Sequence, residues 1–389
     1  MRRSLPSANH LRTLTPRMNQ SWQYTRQGPP SETLEKHQSP IPTPLSEEVV
    51  VKVKAVSINP IDCKLAKFPT YIRRGMGAKP HGEPSVPCFD FAGVVQAVGD
   101  GAGEWTEGEE VFGRIVRSAA SGSLQQYVAV SSSTAMTRKP ANLAWEQAAA
   151  VPLVYMTVYG CLVNLGHLPF KPSAEERGKR SVLILGGSGG AGSQAIQLAK
   201  AMGLNVVTTC SASSNELVKK LGADETIDYR TENIGEKAKA SKYAPFAVIL
   251  DCVGGTEVIP YMDQLLLNDP KRPELGVYVS IAGDMSPGEP MNFGPAIMHV
   301  GRQTLRTLRG SLNPYIPTWF PFRPWLANKP YHFYLSVPER KMMETVSAFL
   351  EHAKEVVIDQ VFDFEHAREA FAKLESGRAK GKVVIRVDE

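Results

Sequence analysis

Hydrophobic and polar positions change their period near the middle of the chain. Over residues 49–56 (Val-Val-Val-Lys-Val-Lys-Ala-Val) apolar and polar side chains alternate, which predicts a half-buried strand. Residues 57–64 read as a turn and a short helix, and 68–87 as a loop rich in Gly, Pro and basic residues. Strand patterns return at 89–99 and 122–130, with a β-rich stretch at 104–113 between them. Many short strands with glycine-rich turns predict a barrel-like β domain. Helical patterning then runs from Trp145 to Leu162, and a basic connector, 169–180, leads into a different regime. There, apolar runs of strand length (182–185, 205–210, 246–250, 276–281 and 331–335) alternate with helices. That alternation predicts an α/β fold with a doubly wound parallel sheet. Helices at 341–352 and 364–374 and a strand at 382–386 close the chain.

The junction between strand 182–185 and the helix after it carries the most chemistry. Gly187, Gly189 and Gly192 fill the positions of G-x-G-x-x-G, with Ser188, Gly190 and Ala191 completing the turn. Between a strand and a helix this spacing marks a dinucleotide-binding turn. The three glycines are expected to serve the tight turn, close backbone approach to a pyrophosphate, and helix-on-strand packing, respectively. The helix start offers N–H groups to the phosphates. The second strand, 205–210, ends in Cys210-Ser-Ala-Ser-Ser-Asn215, where an NAD site would place Asp or Glu on the ribose 2′-OH. Hydroxyls and an amide can instead donate to a 2′-phosphate, and Lys219, Lys220, Tyr229 and Arg230 lie close behind. The expected cofactor is therefore NADPH. The same serines also suit helix N-capping.

Composition narrows the class further. The 389 residues suffice for two domains with substantial cores. A net charge of +5 without a basic run gives no case for nucleic acid. No apolar stretch approaches the roughly 20 residues of a membrane span. Five scattered cysteines form neither a disulfide framework nor a zinc cluster and suit a reducing compartment, with a cytoplasmic location expected. Residues 1–17, with four arginines and no acid, have the composition of a mitochondrial transit peptide and hence of a matrix enzyme. Alternatively Met18 is the true start and they are an upstream extension.

Laid out in order, the chain resembles the medium-chain dehydrogenase/reductase superfamily, and within it the zinc-free quinone oxidoreductases and enoyl reductases. The resemblance is carried by Asn59-Pro-Ile-Asp62, Asp90-Phe-Ala-Gly-Val-Val95, Gly108-Glu-Glu-Val-Phe-Gly113, Gln147-Ala-Ala-Ala-Val-Pro152, the glycine motif, Leu221-Gly-Ala-Asp-Glu-Thr-Ile-Asp-Tyr229 and Gly381-Lys-Val-Val-Ile385. It implies a GroES-like catalytic domain over 18–155, a Rossmann domain over 156–337, and a segment, 338–389, returning to the first domain. Zinc alcohol dehydrogenases hold their catalytic metal with an early Cys and a Gly-His-Glu stretch. This chain has Asn59-Pro-Ile-Asp62 and Phe89-Asp90 at the matching places. No metal site is expected.

The resemblance implies NADPH-dependent reduction of an α,β-unsaturated carbonyl (enone, enal or enoyl thioester) or a quinone. A non-catalytic, crystallin-like NADPH-binding protein is the alternative, with a zinc alcohol dehydrogenase third. It places Asp62 and Lys64 near the cofactor, Thr157 on the nicotinamide carboxamide, and Tyr71 in the loop where related enoyl reductases carry a catalytic tyrosine. Lys64 and Tyr71 are the catalytic candidates. It further implies Ser211, Ser213, Ser214, Asn215 and Tyr229 around the 2′-phosphate, with Gly381 and Lys382 closing over the cofactor. Dimers are common among relatives, so a homodimer is expected. A trans-acting enoyl reductase with an acyl-carrier or polyketide synthase partner is a variant, because Thr209-Cys-Ser211 resembles that group. The dense aromatics and prolines of 315–325 suggest an apolar pocket wall or a subunit contact.

Overall fold

The computed structural model describes residues 18–75, 78–115, 122–268, 276–284, 293–312, 330–336, 339–350 and 355–387. Residues 1–17 and the aromatic stretch 315–325 lie outside the described residues. An N-terminal hairpin, β1 (Met18–Gln23) and β2 (Glu35–Pro40), precedes the predicted β region. Its mostly polar residues gave no alternation to read. Next come β3 (Glu48–Ile58), β4 (Asp90–Val98), β5 (Glu110–Arg114), β6 (Tyr127–Ser131) and β7 (Ala135–Arg138). The second half supplies β8 (Ser181–Leu185), β9 (Asn205–Cys210), β10 (Glu225–Asp228), β11 (Val248–Asp251), β12 (Val277–Ser280) and β13 (Tyr331–Phe333). β14 (Ile358–Asp363) and β15 (Lys382–Arg386) end the chain.

Seven of these form one sheet in the order β14-β15-β3-β4-β5-β7, with β6 also paired to β3. β3 lies inside it, and eight of its eleven residues are buried, including the consecutive runs 49–51 and 55–58. The C-terminal strand β15 pairs antiparallel with β3, so the last residues complete the sheet that the first hundred began. Residues 104–109 make only turns before β5 begins at Glu110.

The other six strands are parallel throughout, in the order β10-β9-β8-β11-β12-β13. Numbered from β8, that is 3-2-1-4-5-6, the doubly wound dinucleotide-binding order. The strand direction reverses its winding between β8 and β11, and ligands bind outside the carboxyl ends of the strands at such a switch point. All five residues of β8 are buried, as expected for a strand covered on both faces. The strand β10 escaped the pattern because, of Glu225-Thr-Ile-Asp228, only Ile227 is buried. The continuous helix expected up to Leu162 is two helices, Trp145–Ala149 and Pro152–Tyr159, followed by a π-helical turn, Gly160–Leu165. Pro152 lacks an N–H to continue the first helix and instead starts the second.

Candidate functional site

The glycine turn sits at the end of β8, as the sequence predicts, but its glycines divide the work differently. The left-handed residue that makes the tight turn is Gly186, at φ 83°, one position before the motif. Its N–H donates to Thr209 Oγ1 (2.8 Å), and the Gly187 N–H donates to the Thr209 carbonyl (2.9 Å), fixing the turn on β9. Gly187 is a packing position: a Cβ there would lie 2.2 Å from Thr208 Oγ1. Gly192 packs the helix on the turn, since its Cβ would lie 2.1 Å from the Gly186 carbonyl oxygen. Gly189, the N-cap of helix Gly190–Ala201, is different, with only the Gly186 carbonyl at 3.4 Å. That side of Gly189 is otherwise open within 4 Å. The expectation that Gly187 makes the turn is thereby corrected: the chain direction reverses one residue earlier because β9 holds Gly186 by a side-chain hydroxyl.

The C-terminal segment meets this turn. Gly381 donates its N–H to the Ser188 carbonyl (2.9 Å), and Gly189 and Gly381 form a parallel bridge. A Cβ on Gly190 would lie 2.8 Å from Lys382 Cδ. Ala191 is half-buried at the first turn of the helix. At the end of β9, Ser211 Oγ lies 3.2 Å from Ser213 Oγ and 3.5 Å from Ser214 Oγ. Tyr229 is beside them, its N–H donating to the Cys210 carbonyl (3.4 Å) and its ring under the Arg230 guanidinium. Asn215 uses its amide oxygen elsewhere, accepting from Thr226 Oγ1 on β10 (2.9 Å). The sequence reading missed Lys380. Its Nζ donates to the Ser213 carbonyl (3.0 Å) and lies 3.3 Å from Ser213 Oγ. The only signal was its place one residue before Gly381-Lys382, because the serines it meets are 167 positions away.

Between the two sheets lies a buried polar cluster. Asn59 opens helix Pro60–Lys67, and its N–H donates to Asp62 Oδ2 (2.7 Å). The Asn59 amide donates to Asp90 Oδ2 (2.8 Å) and accepts from Lys382 Nζ (2.5 Å). Lys382 also donates to the Ile58 carbonyl (3.1 Å) and lies 3.9 Å from Asp90 Oδ2. The other Asp90 oxygen accepts the Leu153 N–H (2.9 Å). Burial pushes the Asp62 carboxyl up to about 7, with the Asn59 N–H pulling back and the Asp90 charge adding to the rise. Burial also raises Asp90 and lowers Lys382, each against the attraction of the other. Asp62 Oδ1 is buried without a hydrogen-bond partner among the described residues. Cys88, immediately before Phe89-Asp90, adopts φ 70°, an uncommon value for a residue with a Cβ.

These residues do not suit a zinc ion. Phe89 offers no donor where zinc relatives are expected to have histidine, Asp90 has both oxygens engaged, and an ammonium stands where a dication would. The thiols of Cys63 and Cys88 are pushed up by burial, away from the thiolate a metal needs. Among the described residues no group of three or more His, Cys, Asp or Glu is disposed to hold a metal.

The remaining candidates lie on three different helices. Thr157 is buried in helix Pro152–Tyr159, and its hydroxyl donates to the Leu153 carbonyl (2.7 Å). Lys64 follows Asp62 on the same helix; burial lowers its ammonium, with the Cys63 charge opposing. Tyr71 is 56% exposed on helix Thr70–Gly75, whereas Arg73 of that helix is fully buried. The loop after β11 was not foreseen. Asp251 accepts the Val253 and Gly254 N–H groups (2.9 Å each), and Val253 covers the turn so closely that a Cβ on Gly186 would lie 2.5 Å from Val253 Cγ2.

Comparison with known proteins gives two family matches, the alcohol dehydrogenase GroES-like domain over residues 46–141 and a zinc-binding dehydrogenase domain over 221–385. The mitochondrial NAD(P)H oxidoreductase RTN4IP1 of Homo sapiens is 33% identical over 349 residues, covering 87% of this chain and 82% of its own. A chloroplast envelope quinone oxidoreductase homolog of Arabidopsis thaliana is 29% identical over 364 residues (93% and 97%). A trans-enoyl reductase of Aspergillus terreus is 29% identical over 395 residues (97% and 99%). Among solved structures, the quinone oxidoreductase from Coxiella burnetii shares the fold, with a TM-score of 0.71 at 24% identity over 96% of this chain and 100% of that one.

Proposed function

This chain belongs to the medium-chain dehydrogenase/reductase family, in its quinone oxidoreductase and enoyl reductase branch, and we propose that it reduces an electron-poor alkene or a quinone with NADPH and without zinc. The observation that carries this reading is the paired arrival of Lys380 and Lys382 from the C-terminal segment. One ammonium stands at the serines that end β9, the other among Asn59 and Asp90.

Bound NADPH would supply the hydride. Gly189 and the helix start behind it leave room for the pyrophosphate and present N–H groups to it. Ser211, Ser213, Ser214 and Lys380 would donate to the 2′-phosphate, and Tyr229 would flank it. Thr157, whose hydroxyl proton is committed to Leu153, has oxygen lone pairs left to accept from the carboxamide. Lys382 holds Asn59 and Asp90 in place and so fixes the wall on which the nicotinamide would lie. As hydride adds to the β-carbon, negative charge grows on the substrate oxygen, and a donor there lowers the barrier. Lys64 and Tyr71 are the two donors this reading offers.

NADPH consumption across 2-enals, enones, quinones and enoyl thioesters, measured with untagged protein in the presence of a chelator, tests the proposal. Turnover that a chelator abolishes and zinc restores would overturn the metal-free reading, and a preference for NADH would overturn the cofactor reading. Lys64→Met and Tyr71→Phe separate the two donors: the true one loses kcat by roughly a hundredfold, the cost of one such donor.

A further inference from the structure

The helix Phe293–Leu312, packed beside β13, is amphipathic and exposes an apolar stripe. Among the residues whose side chains are described, Gln303 and Gly310 are buried, and Arg306 reaches in to Asp284 Oδ1 (2.5 Å) and lies over the Tyr331 ring. The apolar side chains described on this helix point the other way. Met298, Leu305 and Leu308 are 52%, 53% and 58% exposed, and their spacing puts them in one stripe with Gly301. Beside the stripe, a cavity of about 370 Å³ opens between this helix and residues 259–263. It is lined by Arg302, Arg306, Arg309 and Leu305, with Asp263 as its one carboxylate.

We propose that this face docks on an anionic lipid bilayer, with Met298, Leu305 and Leu308 entering the acyl boundary and the arginine-lined cleft taking a lipid phosphate. A helix lying in a membrane surface has this composition: an exposed apolar stripe beside arginines and few acids. The helix carries no Asp or Glu against Arg302, Arg306 and Arg309, and the acids beside it are Asp284, paired with Arg306, and Asp263 in the cleft. That one-sided charge favours an anionic partner over a second copy, since a two-fold pairing of this face would set arginine against arginine with no carboxylate from the helix to separate them. No helix among the described residues is long and apolar enough to cross a membrane, so the contact is peripheral. Anchoring here would leave the cofactor turn, at the carboxyl ends of β8 and β9, free to work, and would hold the enzyme where lipid-soluble substrates collect.

Co-sedimentation with vesicles tests this directly and does not depend on which substrate is reduced. The full chain is expected to bind phosphatidylcholine vesicles containing phosphatidylglycerol, to bind pure phosphatidylcholine poorly, and to release when the salt is raised to about 1 M, where screening acts within a few ångströms. Arg302→Gln with Arg309→Gln should lower the partition about 30-fold, as each cation near an anionic surface contributes roughly fivefold. Leu305→Glu with Leu308→Glu should abolish it while leaving quinone or enone turnover and melting temperature unchanged. Binding of inorganic phosphate to the cleft without vesicle binding would overturn the proposal. So would a wild type that ignores anionic vesicles but is a dimer split by Leu305→Glu with Leu308→Glu, which would assign the face to a second copy.

Discussion

Replacing Lys380 by alanine should separate the two nicotinamide nucleotides. The ammonium stands at Ser213, on the turn where a 2′-phosphate would sit, and Lys380 has no carboxylate ion pair among the described residues. At about 4 Å a unit charge pair is worth roughly 1 kcal/mol in bulk water and 4 kcal/mol near a protein surface. Exposed pairs measured by cycles fall lower, at about 0.2–1 kcal/mol, and charge-assisted hydrogen bonds reach roughly 1.5–3 kcal/mol. Because Lys380 is exposed but its partner would be a dianion, about 1.5 kcal/mol is the reasonable middle, a tenfold change in affinity. Isothermal titration of the wild type, Lys380→Ala and Lys380→Arg with NADPH and NADH reads it. The expected result is about a tenfold rise in Kd for NADPH with Lys380→Ala, little change for NADH, and recovery with arginine. The melting temperature should not move, since the ammonium is solvated. Equal weakening of both nucleotides would refute the assignment, and so would an unchanged NADPH affinity.

Three other outcomes follow from the same geometry. Gly192→Ala should cost at least about 2 kcal/mol of stability, because its Cβ would lie 2.1 Å from a backbone oxygen; Gly189→Ala, facing only one oxygen at 3.4 Å, should fold normally yet lose NADPH binding. Denaturation and nucleotide titration of the pair check this. Burial holds the Asp62 proton up to about 7 in the fold, well above the usual carboxylate range, so its contribution to stability is fully present below about pH 4 and is lost as pH rises to about 7. Asp62→Asn should therefore remove part of the fall in melting temperature between pH 5 and pH 8; an identical pH profile would show that Asp62 ionises normally. Arg73→Met should cost about 3 kcal/mol or more in a urea melt, since the buried guanidinium donates to Tyr24 Oη, Ser85 Oγ and the carbonyls of Leu65 and Lys79.

Much of the fold was legible from the order of the residues. β9 and β15 have the bounds that the apolar runs mark, and β8 differs by one residue, because buried strands are continuous apolar runs with polar or glycine ends. Five strands escaped: β1, β2 and β10 carry too few apolar residues to show a period, β7 is four residues long, and β14 buries none of its residues fully. For the site, Ser211, Ser213 and Ser214 cluster just past β9 and Tyr229 follows β10 beside it, because they lie close together at the ends of two adjacent strands. Gly186 was missed because the motif names three glycines while the turn depends on a hydroxyl from β9.

The sequence by itself determined that a strand, a glycine turn and a helix stand at the centre of a doubly wound sheet, and that the next strand ends without a carboxylate. Those are properties of neighbours along the chain, set by backbone geometry and by the period of burial. Only the tertiary structure decided that Lys380 and Lys382, at the far end, would meet Ser213 and Asn59, and that the helix Phe293–Leu312 would turn its apolar stripe outward. Such pairings depend on β15 closing against β3 and on β13 closing the other sheet. The two lysine contacts join residues 167 and 323 positions apart, and no local pattern records which distant partner a side chain will find.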